Sequence, residues 1–115
     1  MSLARKLVNC NLAATDGDAF TPYIQIPNGA TKITVQFIYT SLDSDITRTM
    51  QQSLDGYNFD TCTNDEDTPV AIVLDKDFPS MTLNVSDLLT TWIRFKMEIG
   101  DATTGTLEKL HLIFS

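Results

Sequence analysis

At 115 residues, with 43% hydrophobic and 9% aromatic content and a mean hydropathy of −0.04, the chain can bury one core without disulfides or metal and is too apolar for disorder. Its formal charge of −7, from 15 acidic against 8 basic residues, argues against nucleic acid as a partner, because affinity for a phosphate backbone comes largely from Lys and Arg displacing counterions. No window approaches the ~18 uninterrupted apolar residues of a membrane-spanning helix, and Asn9 and Asn11 interrupt the only apolar positions near the N-terminus that a cleaved signal would need, so a soluble single domain over 1–115, made in the cytoplasm, is expected.

Leu3 to Leu12 is mixed in polarity and reads as an edge strand or an N-terminal arm within residues 1–12, ordered against a partner. Asp16-Gly17-Asp18 has loop composition. Phe20 to Ile26 is a short extended piece bracketed by Pro22 and Pro27, which keep helix out and favour a sheet edge. After the Asn28-Gly29 turn, Ile33, Val35, Phe37 and Tyr39 share one face of a strand. Ile46, Arg48 and Met50 form one side of the next strand, with Thr47, Thr49 and Gln51 on the other.

Asp55-Gly56 is a tight-turn dipeptide, Asp able to bond nearby backbone and Gly able to take positive φ. It predicts a hairpin whose return arm begins with Tyr57 and Phe59 at pleated spacing. Past the acidic loop Asn64-Asp65-Glu66-Asp67, Val70 to Leu74 is an apolar run expected to be a core strand buried on both faces. Asp75-Lys76-Asp77 turns the chain, and Met81, Leu83 and Val85 alternate with Thr82 and Asn84 in another strand. Ser86 to Leu89 has room for one helical turn. Ile93, Phe95, Met97 and Ile99 alternate with Trp92, Arg94, Lys96 and Glu98, and the final strand sets Leu110, Leu112 and Phe114 inward. Seven to nine short strands at roughly ten-residue spacing predict an all-β, two-sheet antiparallel sandwich, jelly-roll-like, with an immunoglobulin-like order as the alternative.

Sites for chemistry are sparse. His111 alternates outward with no nucleophile or carboxylate placed to complete a triad. Cys10 and Cys62 form no C-x-x-C pair and read as free thiols, with one disulfide as the alternative in an oxidising compartment. The pairs Asp16 with Asp18, Asp43 with Asp45 and Asp75 with Asp77, and the run Asp65 to Asp67, lack the spacing of a calcium loop and read as solvated turns. No catalytic residue, cofactor or metal is therefore expected. Asn84-Val85-Ser86 is a glycosylation sequon that, without a signal peptide, reads as incidental. Tyr23, Tyr39, Tyr57, Phe59 and Trp92 are the aromatic residues from which a sugar platform could be built, most of them at core-like positions. Trp92 with Arg94 on an outward face is the candidate interaction patch.

From Gln51 to Phe59 the residues Q-Q-S-L-D-G-Y-N-F resemble the Q-x-S-x-D-G-x-x-aromatic hairpin of small β-sandwich proteins in tailed bacteriophages, with Gln51, Ser53, Asp55, Gly56 and Phe59 at the patterned positions. The closing segment, Trp92-Ile93-Arg94-Phe95 through Thr104-Gly105-Thr106-Leu107 to Phe114, is similar to the last two strands of the same sandwiches. The resemblance implies a non-enzymatic virion protein, a capsid decoration or auxiliary subunit or a tail appendage, present in many copies and bound to other virion proteins. Leu3 to Leu12 is then the arm to lay on a neighbour. Discoidin-like carbohydrate-binding sandwiches share the same hairpin, so a glycan-binding receptor or adhesin module is the alternative. The turn itself is read as structural: Gly56→Val is expected to damage folding before recognition.

Overall fold

The computed structural model of the chain describes residues 4–63, 68–86, 88 and 90–115. Among these, ten strands form two antiparallel sheets: β1 (Ala4–Ala13), β2 (Ala19–Phe20), β3 (Ile24–Gln25), β4 (Ile33–Thr40), β5 (Ile46–Ser53), β6 (Asp60–Thr61), β7 (Ala71–Leu74), β8 (Ser80–Val85), β9 (Trp92–Glu98) and β10 (Thr106–Phe114). One sheet runs β1-β10-β4-β8; the other runs β2-β9-β5-β6, with β3 also on β9 and β7 also on β5. If β2 with β3, and β6 with β7, are each counted as one interrupted strand, the pairs are nested first with last and inward from there. That is the jelly-roll-like order, a long hairpin wound round itself.

Alternation decides what is buried. Ile33, Val35, Phe37 and Tyr39 of β4 and Ile93, Phe95 and Met97 of β9 are at most 2% exposed, and Leu110, Leu112 and Phe114 of β10 join them in the space between the sheets. Phe37 and Phe95 meet edge to face at 5.1 Å between centroids, one from each sheet. Each such ring contributes about 2–3 kcal/mol by leaving water. Tyr39 reaches the rim of this core and donates its hydroxyl to the Asp75 carbonyl at 2.7 Å.

The prolines interrupt one edge as expected. β2 and β3 both pair with β9, and Pro22 falls in the gap between them. Thr21 bridges that gap: its amide donates to the Phe95 carbonyl, and its hydroxyl accepts from the Phe95 amide at 2.9 Å. β1 is paired with β10 along its length, so the N-terminal segment is an edge strand in this fold. Between Asn9 and Leu12 its register shifts by one residue, and β10 shifts against β4 between Leu107 and Lys109 at the same level. Asn11 takes φ 51 within that bulge.

Two expectations need correction. Val70 to Leu74 is not buried on both faces: β7 is an edge strand against Ile46 to Thr49, and Val73 is 49% exposed. Apolar composition alone does not distinguish a central strand from an edge strand that is apolar on its open side. The hairpin after β5 is also not tight. Its return strand is only Asp60–Thr61, so Tyr57 and Phe59 lie in the connection instead of the ladder. Positions 87 and 89 of the expected helical turn, and the acidic loop 64–67, lie outside the described residues.

Candidate functional site

The outer face of the six-stranded sheet carries a side-chain constellation centred on Arg94. Alternation in β9 turns Arg94 and Trp92 outward while Ile93 and Phe95 go to the core. Gln51, directly across the ladder on β5, accepts from the Arg94 Nε at 2.7 Å. The guanidinium carbon lies 3.9 Å from the Phe20 ring centroid and 4.2 Å from that of Phe59. A planar cation over aromatic rings gains about 0.5–1 kcal/mol at an exposed site, and the fork of donors left outside the Gln51 bond remains directional. Burial against these groups lowers the Arg94 pKa from its ordinary value. Tyr23 completes the group, 5.5 Å from Trp92 in an edge contact and 6.3 Å from Phe59.

The Asp-Gly loop is joined to this face. Ser53, buried at the end of β5, accepts from the amides of Asp55 and Gly56 at 3.2 and 3.0 Å, and donates its hydroxyl to the Asp55 carboxylate at 2.9 Å. That carboxylate also accepts from the amides of Tyr57 and Asn58 and from the Asn58 side chain. Four donors on one carboxylate, led by the Asn58 and Tyr57 amides, hold its pKa well below the usual range. Gly56 sits at φ 80, and a Cβ there would lie 3.2 Å from the Trp92 indole nitrogen. The loop thus adopts a left-handed residue and presses its backbone on the Trp92 ring. Leu54 and Tyr57 stand out at its tip, 72% and 89% exposed.

The patch residues Trp92 and Arg94 and the turn residues Gln51, Ser53, Asp55, Gly56 and Phe59 therefore form one site. Each patterned position has a contact: Gln51 orients Arg94, Ser53 and Asp55 fix the loop, Gly56 admits Trp92, and Phe59 meets Arg94. Phe20 was missed by sequence reasoning. Its signal is pairing, since Phe20 opposes outward Lys96 while Ala19 opposes inward Met97. Tyr39 does not belong to any platform, being buried in the core.

The other candidates have structural roles. Asp43 accepts from the amides of Thr103 and Thr104 and from the Thr103 hydroxyl, Asp45 from the Lys76 amide, and Asp18 from the Ile99 amide. These bonds tie the loops at one end of the sandwich together and hold the Asp43 pKa down to about 2, the Thr103 hydroxyl first among the causes. Among the described residues no group of three or more His, Cys, Asp or Glu is arranged to hold a metal. Cys10 and Cys62 are unpaired. Burial pushes the Cys10 thiol up to about 11 and raises Cys62 as well, the opposite of an activated nucleophile. His111 is exposed on the outer face of the four-stranded sheet, and Asn84 of the sequon accepts from the Thr34 hydroxyl at 2.8 Å.

One further group has no outward role. Arg48, on the inner side of β5, is 0% exposed, and its Nε, Nη1 and Nη2 have no hydrogen-bond partner among the described residues. Loss of hydration lowers its pKa to about 9, partly offset by the nearby Cys10 thiol.

No protein-family model matches the chain, and no curated protein sequence matches it. Among solved structures, the crystal structure of the SPBc2 prophage-derived protein YomS is similar, with a TM-score of 0.60 over 100% of this chain and 96% of that one. At 11% sequence identity the likeness is one of fold. The two chains share the sandwich over essentially their whole lengths.

Proposed function

We propose that the chain is a non-enzymatic virion structural subunit of a bacteriophage, a capsid decoration or auxiliary protein or a tail appendage, made in the host cytoplasm and acting through protein–protein contacts. The observation that carries this reading is the Arg94 site: an arginine held by Gln51 against Phe20 and Phe59, beside exposed Tyr23 and half-buried Trp92. Trp, Tyr and Arg are the residues that dominate protein-interface energetics, and a guanidinium fixed before binding loses little rotamer freedom when a partner arrives. The fold it shares with a prophage-derived protein supports the setting.

Arg94→Ala combined with Tyr23→Ala should abolish co-sedimentation with phage particles or their isolated capsid and tail assemblies while the far-ultraviolet circular dichroism stays that of the native fold. Unchanged co-sedimentation by this double variant would overturn the assignment to this face.

A glycan-binding module is the second reading, favoured by the open rings of Tyr23 and Tyr57, at 61% and 89% exposure. It ranks second because Arg94 already occupies a face of Phe20 and of Phe59, which a sugar ring would need. Binding to one glycan class on an array, with or without calcium, and its loss in Tyr23→Ala would reverse the order.

A further inference from the structure

We infer that the Arg94 site takes a carboxylate side chain of a protein partner: an Asp or Glu on the partner's surface seats on the free edge of the Arg94 guanidinium, and an apolar neighbour of that acid packs on Tyr23. The inference rests on the reading of this face as a protein interface and names what the partner must bring to it.

Arg94 is committed on one side only. Its Nε donates to Gln51 at 2.7 Å, and its guanidinium carbon lies 3.9 and 4.2 Å from the ring centroids of Phe20 and Phe59. Nη1 and Nη2 have no hydrogen-bond or ion-pair partner among the described residues. The carboxylates nearest in the chain are already occupied. Glu98, outward on the same strand, pairs with Lys96 at 3.6 Å, and the Asp55 carboxylate accepts from Ser53, Tyr57 and Asn58. Beside this open cation stands Tyr23, 61% exposed and in edge contact with Trp92 at 5.5 Å.

A partner that covers the face removes the remaining water from the Nη edge. An enclosed guanidinium weakens binding unless acceptors replace that water, and a carboxylate supplies two parallel N–H···O bonds together with the opposite charge. Two other anions fit less well. A carboxyl terminus or a phosphate is commonly held by a nest of free backbone amides, but here the amides of Asp55 and Gly56 are taken by the Ser53 hydroxyl oxygen and those of Tyr57 and Asn58 by the Asp55 carboxylate. A phosphate dianion also calls for a second free cation, and Lys96 is paired. One fork with one open edge matches one carboxylate.

The test uses the purified full chain and two capped tripeptides, acetyl-Leu-Glu-Leu-amide and its Gln counterpart, each added to about 50 mM at low salt. Heteronuclear NMR follows the Arg94 Nε–H and the indole N–H of Trp92, the only tryptophan. The Glu peptide should shift both resonances saturably, the Gln peptide should bind roughly tenfold more weakly, and Arg94→Gln should remove the difference between them. No shift, equal binding of the two peptides, a preference for Glu that survives in folded Arg94→Gln, or inorganic phosphate acting at lower concentration than the Glu peptide would each overturn the inference. Particles separate it from the reading on which it rests. Arg94→Gln should weaken co-sedimentation roughly tenfold and Arg94→Glu further, with circular dichroism as the check on each fold. Co-sedimentation lost in Tyr23→Ala but kept in Arg94→Gln would retain the interface and overturn the carboxylate. A wild-type chain that prefers the Glu peptide yet sediments with no particle would retain the carboxylate and overturn the virion reading.

Discussion

Two arginines on neighbouring strands of the same sheet meet opposite fates. Arg94 points out of β9, bonds Gln51 and covers two aromatic rings, so its charge is solvated on one side and used on the other. Arg48 points in from β5, is fully enclosed, and has no hydrogen bond for any guanidinium nitrogen among the described residues. The pair differs by one parity step of the pleat, and that step separates an outward arginine held by Gln51 and two rings from a buried one with no hydrogen-bond partner among the described residues. Strand geometry places a side chain without regard to whether its charge is welcome there. The apolar rows around Arg48 are the fold's core, and burial of an arginine without hydrogen bonds among them is expected to cost stability.

The largest effect expected from this contrast is on Arg48. Arg48→Met keeps a flexible chain of similar length and removes the charge, and it should stabilise the protein by about 3 kcal/mol, raising Tm by on the order of 10 °C. Because the folded pKa of about 9 lies below the ordinary arginine value, the unfolded chain binds the additional proton between those two values. The cost is therefore full below pH 9 and shrinks as pH rises, so the gap between Arg48→Met and wild type should narrow from pH 8 to pH 10.5. Urea melts across that range would break the comparison if the variant were no more stable than wild type.

Gly56→Val comes next. A branched side chain at φ 80, with its Cβ 3.2 Å from the Trp92 indole, should cost about 2–4 kcal/mol in a denaturant melt and shift the tryptophan emission. Because Gly56 packs against Trp92, the expectation that Gly56→Val damages folding before recognition is tested by measuring stability and particle binding on the same variant. Arg94→Ala should lower stability by only ~1 kcal/mol while removing particle binding. A double-mutant cycle with Gln51→Ala should return a coupling of about 0.5–1 kcal/mol, and zero coupling would mean that Gln51 does not orient Arg94.

The smallest expected effect is on Asp43. Its folded pKa of about 2 lies below the ordinary carboxylate value, so its stabilising share is present above pH 4 and is lost as pH falls toward 2. Asp43→Asn should flatten the acid limb of a Tm-against-pH curve between those values; an unchanged limb would assign acid unfolding to other carboxylates.

Much of the fold was legible because period-two alternation is strict where one face is buried: β4, β9 and β10 could be assigned from their inward rows alone. β7 was not, since an apolar run carries no label for its neighbour count. The site was half legible. Trp92 and Arg94 stand outward by alternation, and Gln51 to Phe59 carry the turn pattern, but their union depends on which strands are adjacent, and adjacency is non-local. Arg48 shows a different limit: alternation already set it beside Ile46 and Met50, yet composition offers nothing to say that an inward arginine has no hydrogen-bond partner among the described residues.

The bulge in β1 has a consequence for how the protein behaves in concentrated solution. A straight ten-residue edge strand would offer a continuous rail of amides and carbonyls to any extended segment. Here the rail is broken between Asn9 and Leu12, where Asn11 turns left-handed, and it is flanked by the charges of Arg5 and Lys6. An incoming strand can follow one half of β1 or the other but not both in one register. β1 is therefore a poor template for strand addition along its full length.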